Sequence, residues 1–141
     1  MIRKANINDI NRIYELGNKY SDTFYKTYDL EKYLYDDIYI INVYDDKEVN
    51  GFIICTKMYN VVEILLIYVE EKSRGKHVGK SLLESIKNDC EKIILEVSSK
   101  NLPAYRLYKN FGFNIINIRK GYYKDADAYV MELVVWKMYI F

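Results

Sequence analysis

A short basic segment in the middle of the chain has the residue types needed to hold an anion. Residues 74–81 read Arg-Gly-Lys-His-Val-Gly-Lys-Ser and follow a long apolar run. Gly75 and Gly79 carry no Cβ that would keep a ligand from the backbone. The cations in the segment and just before it, with no acid between them, are Lys72, Arg74, Lys76 and Lys80. At a strand-to-helix junction, free N–H groups and the helix dipole favour a phosphate, so the segment predicts a phosphate-binding loop.

A nucleotide-binding P-loop is one alternative for this segment. Gly79-Lys80-Ser81 matches the end of that pattern, but Arg74 stands where its first glycine belongs. Ile93-Ile94-Leu95-Glu96 could mimic the acidic magnesium-binding strand of such a protein. The antiparallel start of the chain and its short length nevertheless fit a parallel nucleotide-binding sheet poorly. A glycine-rich, solvated turn without a ligand is the other alternative.

The spacing of apolar residues divides the chain into helices and strands. Four helices are predicted, at 8–20, 29–36, 81–90 and 102–111, the last of them stopped by Gly112. Strands are predicted at 38–44, 49–57, 61–69 and 93–97, with two more between 113 and 135. Residues 45–48 are favoured as the turn between the first two strands, and Asn50-Gly51 competes with them.

The order of these elements predicts one α/β domain. Two antiparallel strands come first, followed by strand, helix, strand, helix, strand and strand, which gives a mixed sheet with helices on both faces. The almost unbroken apolar run from Val61 to Val69 is expected to be a central strand buried on both faces. The 141 residues, half of them hydrophobic, suit a single domain over 1–141. Its apolar end, 134–141, is expected to pack on the core or to meet a partner.

Composition argues against several classes of protein. A net charge of +1 and a pI of about 7.6 give no basic field that would make nucleic acid the default partner. Cys55, Cys90 and the single histidine His77 cannot form a usual zinc site, so we expect no metal and two reduced thiols. No apolar signal stretch follows Met1 and no apolar run is long enough to span a membrane. We therefore expect a cytoplasmic protein without a membrane partner.

Two motifs in the correct order resemble the GNAT acetyltransferase superfamily. Its coenzyme-loop pattern Gln/Arg-x-x-Gly-x-Gly/Ala falls on 74–79, with His77 in place of the first glycine. Its signature Asn-x-x-Ala-x-x-Leu-Tyr-x-x-x-Gly-Phe matches 101–113 at every fixed position. Leu95-Glu96-Val97 and residues 118–123 extend the resemblance to the ribosomal-protein-alanine N-acetyltransferases, over about 2–133. The resemblance implies the GNAT fold, with a central, mostly antiparallel sheet, and acetyl-coenzyme A as cosubstrate.

The same resemblance implies roles for individual residues. It gives the general base to Glu96 and the general acid to Tyr108. An α-amino group is mostly protonated at neutral pH and must lose a proton before it attacks a thioester, and the departing thiolate needs a proton in turn. The residues expected to bind the coenzyme are Ile67, Tyr68, Val69, Arg74, Gly75, Lys76, His77, Val78, Gly79, Lys80 and Asn101. Tyr122 and Tyr123 are expected to border the peptide-entry groove.

This resemblance predicts direct transfer of an acetyl group from acetyl-coenzyme A to the N-terminal amine of a protein, with a ribosomal protein as one candidate. The expected partner is thus a peptide or protein N-terminus, while the oligomeric state is left open. One alternative is a superfamily member that acts on a small amine such as a polyamine, which a strongly acidic acceptor cleft would favour. Another is a non-catalytic coenzyme-binding module, suggested by His77 in the glycine position and by the apolar tail.

Overall fold

The computed structural model describes residues 1–88 and 90–135. Its helices are α1 (Ile10–Tyr20), α2 (Phe24–Thr27), α3 (Leu30–Leu34), α4 (Val78–Lys87) and α5 (Leu102–Phe111). Its strands are β1 (Ile2–Lys4), β2 (Tyr39–Asp46), β3 (Glu48–Met58), β4 (Val61–Val69), β5 (Lys92–Ser98), β6 (Asn114–Tyr123) and β7 (Ala126–Val134). None of the helices in this part of the chain has the length and apolar character that a membrane span requires.

The strands form one sheet in the order β1-β2-β3-β4-β5-β7-β6. Neighbouring strands are antiparallel except β4 and β5, which run parallel. Helices α1, α2 and α3 pack on one face, and α4 and α5 pack on the other. The predicted α/β class, a mostly antiparallel sheet with helices on both faces, is confirmed.

Each face of the sheet has its own apolar core. On the α1 side, the fully buried ring of Phe24 packs 5.8 Å from that of Phe52, measured between centroids. Gly17 of α1 makes room for Phe24, because a Cβ at Gly17 would overlap its ring. On the other side, Leu82 and Leu83 of α4 are completely buried. These two cores hold α1, α4 and α5 at fixed positions over the middle of the sheet.

Strand β4 has the predicted bounds and the predicted central position in the sheet, but at no point along its length is it buried on both faces at once. Val62 and Ile64 belong to the core beneath α4, whereas Leu66 belongs to the core beneath α1. The change of face comes from a β-bulge, since Ile54 of β3 pairs with Leu66, its neighbour Cys55 pairs with Ile64, and Leu65 has no partner on β3. The side chains from Ile67 to Val69 are only partly buried. The expected burial on both faces is wrong because β4 bends here and because β5 pairs with only its first three residues.

The turn between β2 and β3 is centred on Lys47, which has a φ of 68°, and the preferred turn at 45–48 is confirmed. The competing pair Asn50-Gly51 lies inside β3, where Asn50 is buried and its side-chain oxygen accepts a hydrogen bond from Arg12 Nη2 at 3.1 Å. A Cβ at Gly51 would lie 3.2 Å from the Tyr68 carbonyl oxygen. Glycine here therefore serves the close approach of β3 and β4.

Several boundaries differ from the prediction. Helix α4 starts at Val78, three residues before the predicted start at Ser81, so Val78, Gly79 and Lys80 form its first turn. Strand β1 and the short helix α2 were not predicted, because segments of three and four residues are too short to establish a periodic pattern. Val135 closes the described chain, its N–H donating to the Glu91 carbonyl. Residues 136–141 of the predicted apolar tail lie outside the described residues.

Candidate active site

The junction between β4 and α4 carries a row of backbone N–H groups without acceptors. No N–H group from Gly75 to Lys80 donates a hydrogen bond to a residue that the structure describes, whereas the Ser81 N–H donates to the His77 carbonyl at 3.0 Å. Gly75 and His77 have positive φ values of 77° and 61°. Successive N–H groups at the amino end of a ten-residue helix form a concave site suited to an anion.

Two of the four predicted cations are already engaged. Lys72 pairs with Glu48 at 2.9 Å, and the Lys72 ammonium and Arg12 hold the pKa of that carboxyl below its usual value. Arg74 Nε donates to the Val69 carbonyl at 2.9 Å, and its guanidinium lies 5.7 Å from the centre of the Tyr68 ring. Lys76 and Lys80 form no ion pair within the described part of the chain. They are the cations of the loop that remain available for a phosphate.

Gly79 has a packing role in addition to its place in the loop. A Cβ at this position would lie 3.0 Å from Cδ2 of Leu107, so glycine lets α4 approach α5 closely. At Gly75 a Cβ would meet nothing within 4 Å, and the positive φ alone explains the glycine. The two glycines of the motif thus serve different needs.

A cleft opens where β4 and β5 separate. The two strands pair only from Val61 to Glu63, and beyond that point β4 stays with β3 while β5 stays with β7. The cleft between them has a volume of about 180 Å³. Because β5 no longer covers it, the β4 edge from Ile64 onward has no strand partner on this side. An extended ligand could pair with that edge.

Five of the residues expected at the site line this cleft together, namely Ile67, Glu96, Asn101, Tyr108 and Tyr123. The Asn101 side-chain oxygen also caps α5 by accepting from the Ala104 N–H at 3.3 Å. The expected residues that do not line the cleft are Tyr68, Val69, Tyr122 and the loop from Arg74 to Lys80. Of these, Tyr68 packs against Phe52, with 5.9 Å between ring centroids.

Tyr108 reaches the cleft from within the core. The residue is only 6% exposed, and its ring packs edge-on against Phe113 at 5.7 Å. Burial raises the pKa of the Tyr108 phenol far above its ordinary value, with smaller contributions from Tyr20 and Cys55. The hydroxyl makes no hydrogen bond to the described residues and is not among their buried unpaired atoms. It is therefore a protonated phenol that faces the cleft.

Glu96 of β5 forms an ion pair with Arg119 of β6, the strand on the other side of β7. Arg119 Nη1 of β6 lies 3.2 Å from Glu96 Oε1. The Glu96 side chain is 33% exposed and the Arg119 side chain 50%, so the ion pair lies at the mouth of the cleft. The guanidinium also lies 5.3 Å from the centre of the Tyr122 ring.

Two residues near the cleft, Tyr20 and Arg119, were missed as site residues in the sequence. Tyr20, the last residue of α1, lines the cleft opposite the β6–β7 hairpin. Burial raises the pKa of Tyr123, and nearby Glu96 and Tyr20 add to the rise. Arg119 fell within the matched segment 118–123, but no role followed from its position. No signal in the sequence distinguished Tyr20 from the fifteen other tyrosines.

The cysteines and acidic residues that the structure describes provide neither a metal site nor a thiol in the cleft. Cys55 and Cys90 are buried thiols without a disulfide, and burial raises the pKa of Cys55 above its usual value. Neither of them lines the cleft. Within residues 1–88 and 90–135, no group of three or more His, Cys, Asp or Glu side chains could hold a metal ion.

Known proteins match this chain over most of its length. The model of the acetyltransferase (GNAT) family matches residues 7–113. An N-alpha-acetyltransferase from Saccharolobus solfataricus is 31% identical over 150 residues, covering 92% of this chain and 90% of the relative. A ribosomal protein bS18-alanine N-acetyltransferase from Haemophilus ducreyi is 28% identical over 95 residues, covering 64% of this chain and 66% of the relative.

The fold is shared with a solved structure of low identity. The crystal structure of the ribosomal-protein-S18-alanine N-acetyltransferase from Escherichia coli gives a TM-score of 0.82. It is 21% identical in sequence, and the match covers 98% of this chain and 95% of that one. The family match and the 31% identical relative together establish that the chain belongs to the GNAT family, as an N-acetyltransferase that uses acetyl-coenzyme A.

Proposed function

We propose that this enzyme transfers an acetyl group directly to the N-terminal α-amino group of a polypeptide, in the cleft between β4 and β5. The observation that carries the proposal is that Glu96 and Tyr108, a base and an acid of the required types, line the same cleft. The two sequence relatives are named as N-terminal and ribosomal-protein acetyltransferases, which supports a protein N-terminus as the acceptor. A ribosomal protein is one candidate.

The residues present fit the coenzyme. We assign the pyrophosphate to the free N–H groups of 75–80, with Lys76 and Lys80 as the added charges. The pantetheine arm would pair with the uncovered β4 edge at 67–69, and Asn101 at the cleft wall would contact it. When bound there, acetyl-coenzyme A supplies a thioester carbonyl activated for attack by an amine.

Each catalytic residue has a separate task in this proposal. Glu96 takes a proton from the acceptor ammonium, directly or through a water molecule, so that the neutral amine can attack. Tyr108 holds its own proton at neutral pH, since the pKa of a free phenol is already about 10 and burial raises that of Tyr108 further, and it donates that proton to the leaving thiolate. Transfer without an enzyme-bound acetyl group is consistent with the cleft, which neither Cys55 nor Cys90 lines.

The charge of the cleft favours a peptide over a polyamine. Among the described residues that line it, Glu96 is the single acid, and Arg119 already pairs with that acid. A polyamine carries several positive charges and would find no further carboxylate in the cleft to receive them. The strongly acidic cleft expected of a polyamine acetyltransferase is therefore missing from the described part of the chain.

Steady-state kinetics with matched acceptors test the proposal. We expect kcat/KM for a short peptide with a free N-terminus to exceed that for spermidine by about tenfold or more. Both peptides contain no lysine. The version with a blocked N-terminus should give no turnover, which excludes acetylation of any other nucleophile. Faster turnover of spermidine than of any free peptide would contradict the proposal. Tight coenzyme binding without turnover of either acceptor would indicate a non-catalytic module instead.

A further inference from the structure

We propose that Arg119 selects the acceptor, favouring polypeptides with a carboxylate side chain at the second residue and disfavouring those with a cation there. The inference rests on the proposed function, because it concerns the residue that follows the acceptor amine. It adds a substrate class, acidic N-terminal peptides, to the reaction.

Arg119 reaches the cleft across a strand. Glu96 of β5 pairs with Val130 of β7, and Arg119 of β6 pairs with Ala128 of the same strand. The Arg119 side chain therefore spans β7 to place its Nη1 3.2 Å from Glu96 Oε1. This contact brings a cation to within one ion-pair distance of the proposed base.

The ion pair leaves part of each group unused. It engages Nη1 of Arg119 and Oε1 of Glu96, and no other residue in the described part of the chain pairs with either side chain. The Tyr122 ring, 5.3 Å from the guanidinium, holds the planar group by a cation–π contact. The guanidinium thus keeps free N–H groups, which can bind a carboxylate through two parallel hydrogen bonds. Glu96 keeps Oε2 for the proton of the acceptor.

An acceptor amine at Glu96 brings the next residue close to Arg119. Consecutive Cα atoms are about 3.8 Å apart, so a second-residue side chain lies within reach of the guanidinium. A carboxylate there can pair with Arg119 and release Glu96 to act as base. A lysine there would place two like charges side by side.

Other charges of the β6–β7 hairpin do not oppose this preference. Lys100 pairs with Asp125 at 3.1 Å, and Asp127 Oδ1 accepts the Gly121 N–H at 2.8 Å. Lys120 is exposed, forms no ion pair with a described residue and has the same sign as Arg119. Among the described residues, Glu96 is thus the one carboxylate that pairs with Arg119.

Three peptides that differ only at residue two, with Glu, Gln or Lys, test the inference. We expect the wild-type kcat/KM to fall in that order, by about 1.5- to fivefold per step for a half-exposed charge. Arg119→Glu should reverse the order of the three peptides. Arg119→Gln, which removes only the charge, should make their kcat/KM values equal. Lys120→Glu makes the same charge change at the neighbouring position and should keep the wild-type order. Calorimetric affinity for acetyl-coenzyme A should stay within about twofold in all variants.

The outcomes separate this inference from the proposed function. Equal wild-type rates for the three peptides, or an unchanged order in Arg119→Gln, would overturn the role of Arg119 while leaving N-terminal transfer intact. Reversal by Lys120→Glu as well would assign the preference to the general field of the hairpin and would also overturn it. No acetylation of any peptide by the wild type would remove the proposed function and the inference together.

Discussion

Tyr108 illustrates how one side chain serves packing and chemistry at once. Its ring is held between α5 and the sheet, next to Phe113, while its hydroxyl faces the cleft without a protein partner among the described residues. The same burial that stabilises the core raises the pKa of the phenol, so the hydroxyl is protonated at neutral pH and its proton is at hand as negative charge develops on the departing sulfur. A surface tyrosine would have neither the fixed position nor the raised pKa.

Replacing Tyr108 with phenylalanine should separate these two roles. Because the ring stays, we expect Tyr108→Phe to keep the fold and acetyl-coenzyme A affinity but to lower kcat by on the order of a hundredfold or more. Tyr105→Phe is the matched control, since Tyr105 is on the same helix but packs against Tyr129 rather than lining the cleft. It should turn over at a near wild-type rate. If kcat were unchanged in Tyr108→Phe, the phenol would not be the acid.

At the residue scale, the sequence predicted what lies within continuous motifs. Glu96, Asn101 and Tyr108 were identified by the resemblance of a single stretch to the family's motifs, and all three line the cleft. Their catalytic and binding roles stay predictions. Arg119 could not be assigned in the same way, because its contact with Glu96 crosses β7 and depends on the register of three strands.

At the scale of elements, the start of α4 depends on the backbone conformation of one residue. His77 has φ 61° and ψ 21°, the left-handed conformation, and caps α4 without a side-chain hydrogen bond. The sequence allowed for this, because histidine tolerates this region better than most residues. It placed the helix start three residues late, since Val78, Gly79 and Lys80 were assigned to the anion-binding loop and glycine is a poor helix former.

Substitutions at His77 should follow the conformational preference of the new residue. A β-branched residue is strongly disfavoured at positive φ, so His77→Val should lower the free energy of unfolding by about 1–2 kcal/mol in urea denaturation. It should also weaken acetyl-coenzyme A binding, because the free N–H groups of 75–80 would lose their common direction. His77→Gly should be as stable as the wild type or more so, by up to about 1 kcal/mol. A valine variant with wild-type stability and affinity would show that the loop does not need this conformation.

The bulge in β4 shows the limit of prediction at this scale. The run from Val61 to Val69 predicted a strand with the correct bounds, but nothing in a continuous apolar run marks where the register slips. The slip at Leu65 is visible only in the pairing with β3. Because the separation of β4 from β5 leaves no mark in the sequence either, the site residues could be predicted without the cleft that they line.

At the scale of the whole molecule, the site follows from the mixed topology of the sheet. One parallel pair, β4 and β5, lies among antiparallel neighbours, and it separates after three residues. The two helices beneath this opening, α4 and α5, supply the free N–H groups on one side and Tyr108 on the other. The class of fold was predictable from the order of elements, because that order leaves few ways to cover both faces. That residues 1–141 form a single domain stays a prediction.

Direct transfer to an N-terminal α-amine can be tested by locating the transferred acetyl group on a single peptide. The peptide has a free N-terminus, glutamate at residue two and one internal lysine, and it is incubated with acetyl-coenzyme A and the full chain. Fragmentation by mass spectrometry then locates the added acetyl group. We expect acetylation of the α-amine alone, lost in Glu96→Gln with acetyl-coenzyme A binding retained. Acetylation of the lysine side chain alone, or of neither amine, would contradict it.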